Sequence, residues 1–268
     1  MSGAVGGPEQ ALWPTVDPRR RPQSGSARPV TTTDVWKFLG VVFVLVDHYG
    51  FFFDNDQDWW RVFGRLAAPI FFFFVGFART RRVPGRWLVL GVLLTVAEAW
   101  TEDFEKFDLN ILLNFALVRL ALPAVEQRIM PFPGRTALLA LGIILLIRPV
   151  QPVMEYGAEG WLWALFGLSH RLALESATPR ALWTRNAFAG LVALVYMIAE
   201  IIDYEFRLTT GAALVLCVAA LVAALVRFRR SDLRQQPPEL AAALLRFTGR
   251  YSLEIYAITL FAFIIVAG

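Results

Sequence analysis

Two adjacent ionisable residues, Asp47 and His48, lie inside the first apolar stretch of the chain, in "VLVDHYGFFF". The chain has only two histidines in 268 residues, and an ionisable group in an apolar segment is costly unless it has a partner or a task. A neutral imidazole in that position is a general base for an amine or a hydroxyl. Lys37 precedes His48 by eleven residues, which on a helix returns to nearly the same face about 16 Å along the axis. Asp47 points about 100° away from His48, so it is poorly placed to orient the ring. A carboxylate from another helix (Glu98, Glu155, Glu159 or Glu200) is an equal candidate for the second ring nitrogen. The competing reading is a structural His–Asp pair that ties the first helix to Arg61 or Arg65.

The next polar residues extend this pattern. Arg61 and Arg65 are four apart and share a helix face. Their local partners are Asp54, Asp56 and Asp58; the functional alternative is a clamp for a substrate carboxylate or phosphate. Pro69 is expected to kink the helix that carries them. Asn110 and Asn114, also four apart, are expected to share an inward face, since amides are unfavourable against lipid. "MEYGAEGW" places Glu155, Tyr156 and Glu159 at the start of a later helix, and Glu98, Glu200 and Asp203 add acids at the same level. These acids predict an acidic outward cavity. His170, beside Arg171, is expected to be solvated at the opposite interface. There is no phosphate-binding glycine loop, HExxH, CxxC or GxSxG, and no histidine–carboxylate cluster at metal-ligand spacing; no metal is expected.

The elements that must position these residues follow from composition. Hydrophobic residues make up 57% of the chain and charged residues 18%, with a mean hydropathy of +0.52, beyond the usual apolar share of a soluble domain. The expectation is an all-α, polytopic integral membrane bundle of about nine helices, near 34–53, 61–79, 86–101, 107–124, 135–149, 153–170, 185–203, 208–228 and 250–267. Thr33 or Asp34 is expected to cap the first, Pro123 and Pro149 to close two others, and the "PGR" stretches at 84–86 and 133–135 to form turns. Phe71–Phe74 and the nine tryptophans are read as lipid-facing packing and interfacial anchors.

Basic loops such as "RTRRVPGR" and "RFRRSDLR" alternate with acidic ones such as "DNDQD" and "TEDFEKFD". By the positive-inside rule this puts the N-terminus in the cytoplasm, with lipid headgroups rather than nucleic acid as partners of the basic loops. Residues 1–33, rich in Gly, Pro, Ser and Arg, read as a flexible cytoplasmic tail that is retained, and 34–268 as the transmembrane domain. Cys217 is the only cysteine, so no intrachain disulfide can form.

"DVWKFLGVVFVLVDHYGFFF" followed by "WWRVFGRLAAPIFFFFVGFARTRR" resembles the start of the TraX family of bacterial membrane proteins. "LNILLNFALVRLAL" and "EYGAEGWLWALFGLSHR" resemble later family segments, so the likeness runs over most of residues 34–171. Such proteins are similar to a broader membrane acyltransferase group whose first helix carries a basic residue, ten others and then histidine, the spacing of Lys37 and His48. The resemblance implies a multi-pass protein of the bacterial inner membrane that moves an acyl group, most simply acetyl, from cytoplasmic acetyl-CoA to an amine or hydroxyl near the outer face. It implies His48 as base, Asp47 as its motif partner, and Arg65 with Arg61 as organisers of the site; Lys37 and, from the reading of the residues themselves, Asn110, Asn114 and Glu159 complete the candidate substrate contacts. One departure stands out. Where family endings resembling "YSLEIYAITL" carry a histidine after the tyrosine, this chain has Thr259. An inactive accessory subunit of a larger membrane complex is therefore the alternative, and transport of a small anion is a third reading.

Overall fold

A computed structural model describes residues 28–54, 56–101 and 108–267. Residues 1–27, most of the expected tail, lie outside the described residues. The described residues form ten α-helices and no strand: α1 (Thr32–Phe53), α2 (Asp58–Gly64), α3 (Ala67–Phe77), α4 (Gly85–Thr101), α5 (Ile111–Arg128), α6 (Pro133–Val150), α7 (Glu159–Ser176), α8 (Pro179–Tyr204), α9 (Leu208–Arg227) and α10 (Glu239–Ala267). Six helical segments among them are long and apolar enough to cross a membrane: 32–53, 58–77, 133–153, 179–204, 208–227 and 239–266. The protein is a multi-pass membrane protein by this criterion, with six qualifying spans rather than nine. α4 has 17 residues. α5 and α7 carry Arg119, Glu126, Glu159 and Arg171, charges that protein neighbours can accommodate because α7 is buried along most of its length.

The second expected helix is broken in two. The break falls at Arg65–Leu66, not at Pro69, which lies in the first turn of α3, where its missing N–H is one of the donors a helix start leaves unused. A continuous helix would have paired that N–H with the carbonyl of Arg65; instead the Tyr196 hydroxyl donates to this carbonyl at 2.5 Å. The short α3 then runs through the middle of the bundle with every residue buried. Phe71–Phe74 are accordingly interior, at 0–7% exposure, and the expectation that they face lipid is corrected. Exposed apolar side chains come instead from outer helix faces, such as Val89, Leu93 and Trp100 of α4 and Leu138 and Leu145 of α6.

The closest helix contact is between α3 and α7. A Cβ on Gly76 would fall 1.8 Å from the Ala164 carbonyl oxygen, and one on Gly167 would fall 2.0 Å from that of Phe73. Only glycine permits this backbone approach. α1 packs on α10, α2 and α3, which brings the first helix against the chain's last.

Several local expectations also change. Thr31, not Thr33 or Asp34, caps α1, in a capping box with Asp34. Pro123 lies inside α5, which continues to Arg128. Pro133 is not in a turn but in the first turn of α6. Residues just before α1 are held in place: the Leu233 N–H donates to the Val30 carbonyl, and Thr31 pairs with Asp232.

Candidate functional site

The polar residues of α1, α2, α7 and α8 meet in a cavity of about 520 Å³, within the usual size of a small-molecule site. Asp47 and His48, adjacent in sequence, take different roles there. Asp47 accepts two bonds from the Arg65 guanidinium, at 2.8 and 2.9 Å, with Arg61 at 3.7 Å. Gly64 makes this possible, because a Cβ there would lie 2.3 Å from Asp47 Oδ1. Arg65 also lies over the rings of Tyr204 and Tyr156, at 4.9 and 5.4 Å, a cation–π cage. Asp47 thus anchors Arg65, and the expectation that the loop acids hold Arg65 is corrected. Asp54 instead accepts from Trp60, and Asp58 from Thr210.

His48 is 8% exposed and lines the cavity. Its ring packs against Tyr256 at 5.3 Å and Phe263 at 6.1 Å. Its Nδ1 is buried and has no hydrogen-bond partner among the described residues. No carboxylate reaches this nitrogen, contrary to the expectation of a partner from another helix. Glu155 instead accepts from the Tyr256 hydroxyl at 3.1 Å and from the Ile111 backbone N–H at 2.9 Å. Burial pushes the Glu155 carboxyl above its usual range, against the lowering effect of those two bonds.

The segment before α7 is irregular rather than helical. The Glu155 N–H donates to the Leu109 carbonyl at 2.8 Å, and the Leu109 N–H donates to that of Val153 at 3.0 Å. Tyr156 has φ 55°, a left-handed conformation disfavoured for a bulky residue and seen where surrounding contacts over-determine it. The two asparagines do not share a helix face, and of the two only Asn114 bonds this segment. Asn110 caps α5 and donates to the Gly91 carbonyl at 2.6 Å. Asn114 donates to the carbonyls of Glu155 and Gly157 and accepts from Trp161. Asn110 lines the cavity and Asn114 braces it. Glu159 and Glu200 line the same space, and Asp203 is taken by Arg148 and Gln151.

Sequence reasoning missed the role of the tyrosines. Tyr196, Glu200 and Tyr204 follow each other at four-residue spacing on α8, a polar stripe at helical period that marks an inward face. Tyr256, which bridges Glu155 and His48, had no comparable signal.

Lys37 lies elsewhere. It faces a second cavity of about 450 Å³ at the other end of α1 and donates to the Gly249 carbonyl at 3.0 Å. Between the cavities is a void of only about 10 Å³, bordered by His48 and Tyr256 on one side and by Phe71 and Leu253 on the other. This void shares residues with the linings of both cavities. His170, at the basic end, is not solvated: it is fully buried among Phe73, Phe77 and Phe166, with Nε2 2.9 Å from the Phe228 carbonyl.

Comparison with known proteins places the chain in a family. The family model described as TraX protein matches residues 32–267. An uncharacterized protein of Rickettsia prowazekii (strain Madrid E) is 32% identical over 85 residues, 31% of this chain and 34% of that protein. The chain therefore covers about a third of that relative's length. No solved structure matches.

Proposed function

Because the chain belongs to the TraX family, we propose that it is an integral-membrane acyltransferase of the bacterial inner membrane, moving an acyl group, most simply acetyl, from acyl-CoA to an amine or hydroxyl acceptor. The observation that carries this reading is His48, which lines a polar cavity with a buried, unbonded Nδ1 and also borders a small void that shares Phe71 and Leu253 with the lining of the second cavity. The acceptor enters the Asp47–His48 cavity and the donor enters beside Lys37. By the positive-inside rule the Lys37 end is cytoplasmic.

In the reaction His48 takes the proton from the acceptor nitrogen or oxygen as that atom attacks the thioester carbonyl. The carbon–sulfur bond breaks, and the thiolate leaves with the proton returned by the imidazolium. Asp47 has no part in proton transfer. It holds Arg65, a buried part of the cavity wall. Asn110, Glu159 and Arg61 are the remaining polar contacts offered to the acceptor.

The test is transfer or hydrolysis of acetyl-CoA by the purified full-length protein against His48→Ala. Loss of activity in a variant that melts like wild type supports the enzyme. A folded wild type that neither transfers nor hydrolyses overturns it.

One observation favours a second reading, a structural subunit of a larger membrane complex. Thr259, which stands where the family pattern has histidine, turns its hydroxyl back to the Tyr256 carbonyl of its own helix at 3.0 Å and brings no imidazole to the site. Stoichiometric co-purification with a large assembly, undisturbed by His48→Ala, would select that reading.

A further inference from the structure

The second cavity is electrostatically unlike the first. Among the described residues it is lined by eight basic side chains and two carboxylates. Both carboxylates are already engaged: Asp34 by Arg28 at 2.8 Å and Glu254 by Arg86 at 2.6 Å. Arg171 and Arg79 are held by Glu126 and Glu175. Four cations, Lys37, Arg119, Arg230 and Arg250, have no carboxylate of the described residues within ion-pair distance.

Two of these four are half-buried and set on the cavity wall. Lys37 bonds only to the Gly249 carbonyl, just before Tyr251 interrupts α10 with non-helical geometry. Arg119 donates to the Arg82 carbonyl at 2.9 Å and lies 4.4 Å from the Trp87 ring centroid, while its Nε is buried without a partner. Thr33 Oγ1, on the same wall, is also buried without a partner. Cations withdrawn from water without a counter-charge are unfavourable, and α1, α5, α10 and the segment after α9 contribute them to this one space. An anion carrying several charges relieves that cost. Arginine and lysine together with a hydroxyl are the donor set that recognises phosphate oxygens.

We infer that this cavity is a phosphate-ester site, with Lys37 and Arg119 as its inner ligands and Arg230 and Arg250 at its mouth. Assigning the phosphates to the acyl donor rests on the acyltransferase reading; the anion site does not. With a volume of about 450 Å³ it accommodates the nucleotide end of such a donor, whose thioester arm then points toward the narrow void beside His48. Anionic lipid headgroups present the same chemistry from the membrane surface, so the experiment separates the two sources.

The full-length protein in phosphatidylcholine nanodiscs is titrated with coenzyme A, with dephospho-coenzyme A and with pantetheine, which has no phosphate. Coenzyme A is expected to bind wild type and His48→Ala alike, dephospho-coenzyme A less tightly, and pantetheine not measurably. Lys37→Gln and Arg119→Gln are each expected to weaken coenzyme A by about tenfold or more. Arg230→Gln, at an exposed position, keeps the test open if an inner variant does not fold, and is expected to weaken binding in a salt-sensitive way. Pantetheine binding as well as coenzyme A, or coenzyme A binding unaffected by all three substitutions, overturns the site. If coenzyme A does not bind but phosphatidylglycerol co-purifies with wild type and not with Lys37→Gln, the phosphate site stands with a lipid as its occupant, and the donor assignment falls. If coenzyme A binds as expected but no acyl transfer is found, the site stands and the acyltransferase reading falls.

Discussion

The two cavities at the ends of α1 handle charge in opposite ways. At the Asp47 end, among the described residues, carboxylates outnumber arginines by seven to two, and the central cation, Arg65, is matched by both oxygens of Asp47 and by two aromatic faces. At the Lys37 end cations outnumber acids by eight to two. A matched, buried pair stabilises the fold and loses stability if one half is removed. An unmatched cluster is held by the rest of the fold and is satisfied only when something binds. The first cavity therefore combines scaffold and site in the same residues, whereas in the second the site residues are largely separable from the scaffold.

Four substitutions probe this difference. The largest expected effect is on activity at the Asp47 end: His48→Ala lowers acyl transfer by about 10²–10⁴-fold, the usual contribution of a general base, while the fold loses only the ring's packing against Tyr256 and Phe263 and no hydrogen bond of Nδ1. Asp47→Ala comes next and acts on stability. It leaves Arg65 charged and buried, and is expected to lower stability by about 3–5 kcal/mol, read as a lower melting temperature in detergent. If Asp47→Ala melted like wild type, the contrast between the two ends would collapse.

Tyr196→Phe, which removes the hydroxyl bonded to the carbonyl that Pro69 leaves free, is expected to lower stability by about 1–3 kcal/mol. The smallest effect belongs to the other end. Lys37→Gln breaks only a bond to a backbone carbonyl and removes one of several mutually repelling cations, so stability should change by less than about 1 kcal/mol while phosphate binding weakens. A stability loss as large as that of Asp47→Ala would show Lys37 to be part of the scaffold.

Much of this was legible in the residues alone. Alternating charge in the loops and long apolar runs specify a multi-pass helical protein, because a bilayer requires each spanning segment to satisfy its own backbone. The eleven-residue interval from Lys37 to His48 places the two residues at different levels along one helix, since helical rise is a local property. Asp47 and His48 could also be recognised as diverging, because neighbouring residues on a helix point about 100° apart.

What only the tertiary structure decided involves partners distant in the chain. Arg65 could have paired with acids a few residues away, yet the α2–α3 break and Gly64 bring α1 close enough for Asp47 to take it. The Phe71–Phe74 run reads equally well as lipid-facing or buried, because hydrophobicity does not distinguish lipid from a protein interior; the glycine contacts between α3 and α7 place it inside. Lys37, Arg119, Arg230 and Arg250 are spread over more than two hundred residues of the chain, so no local spacing links them. Their convergence on one cavity depends on α1 packing against α10, a contact between the chain's first and last helices that helical periodicity cannot specify.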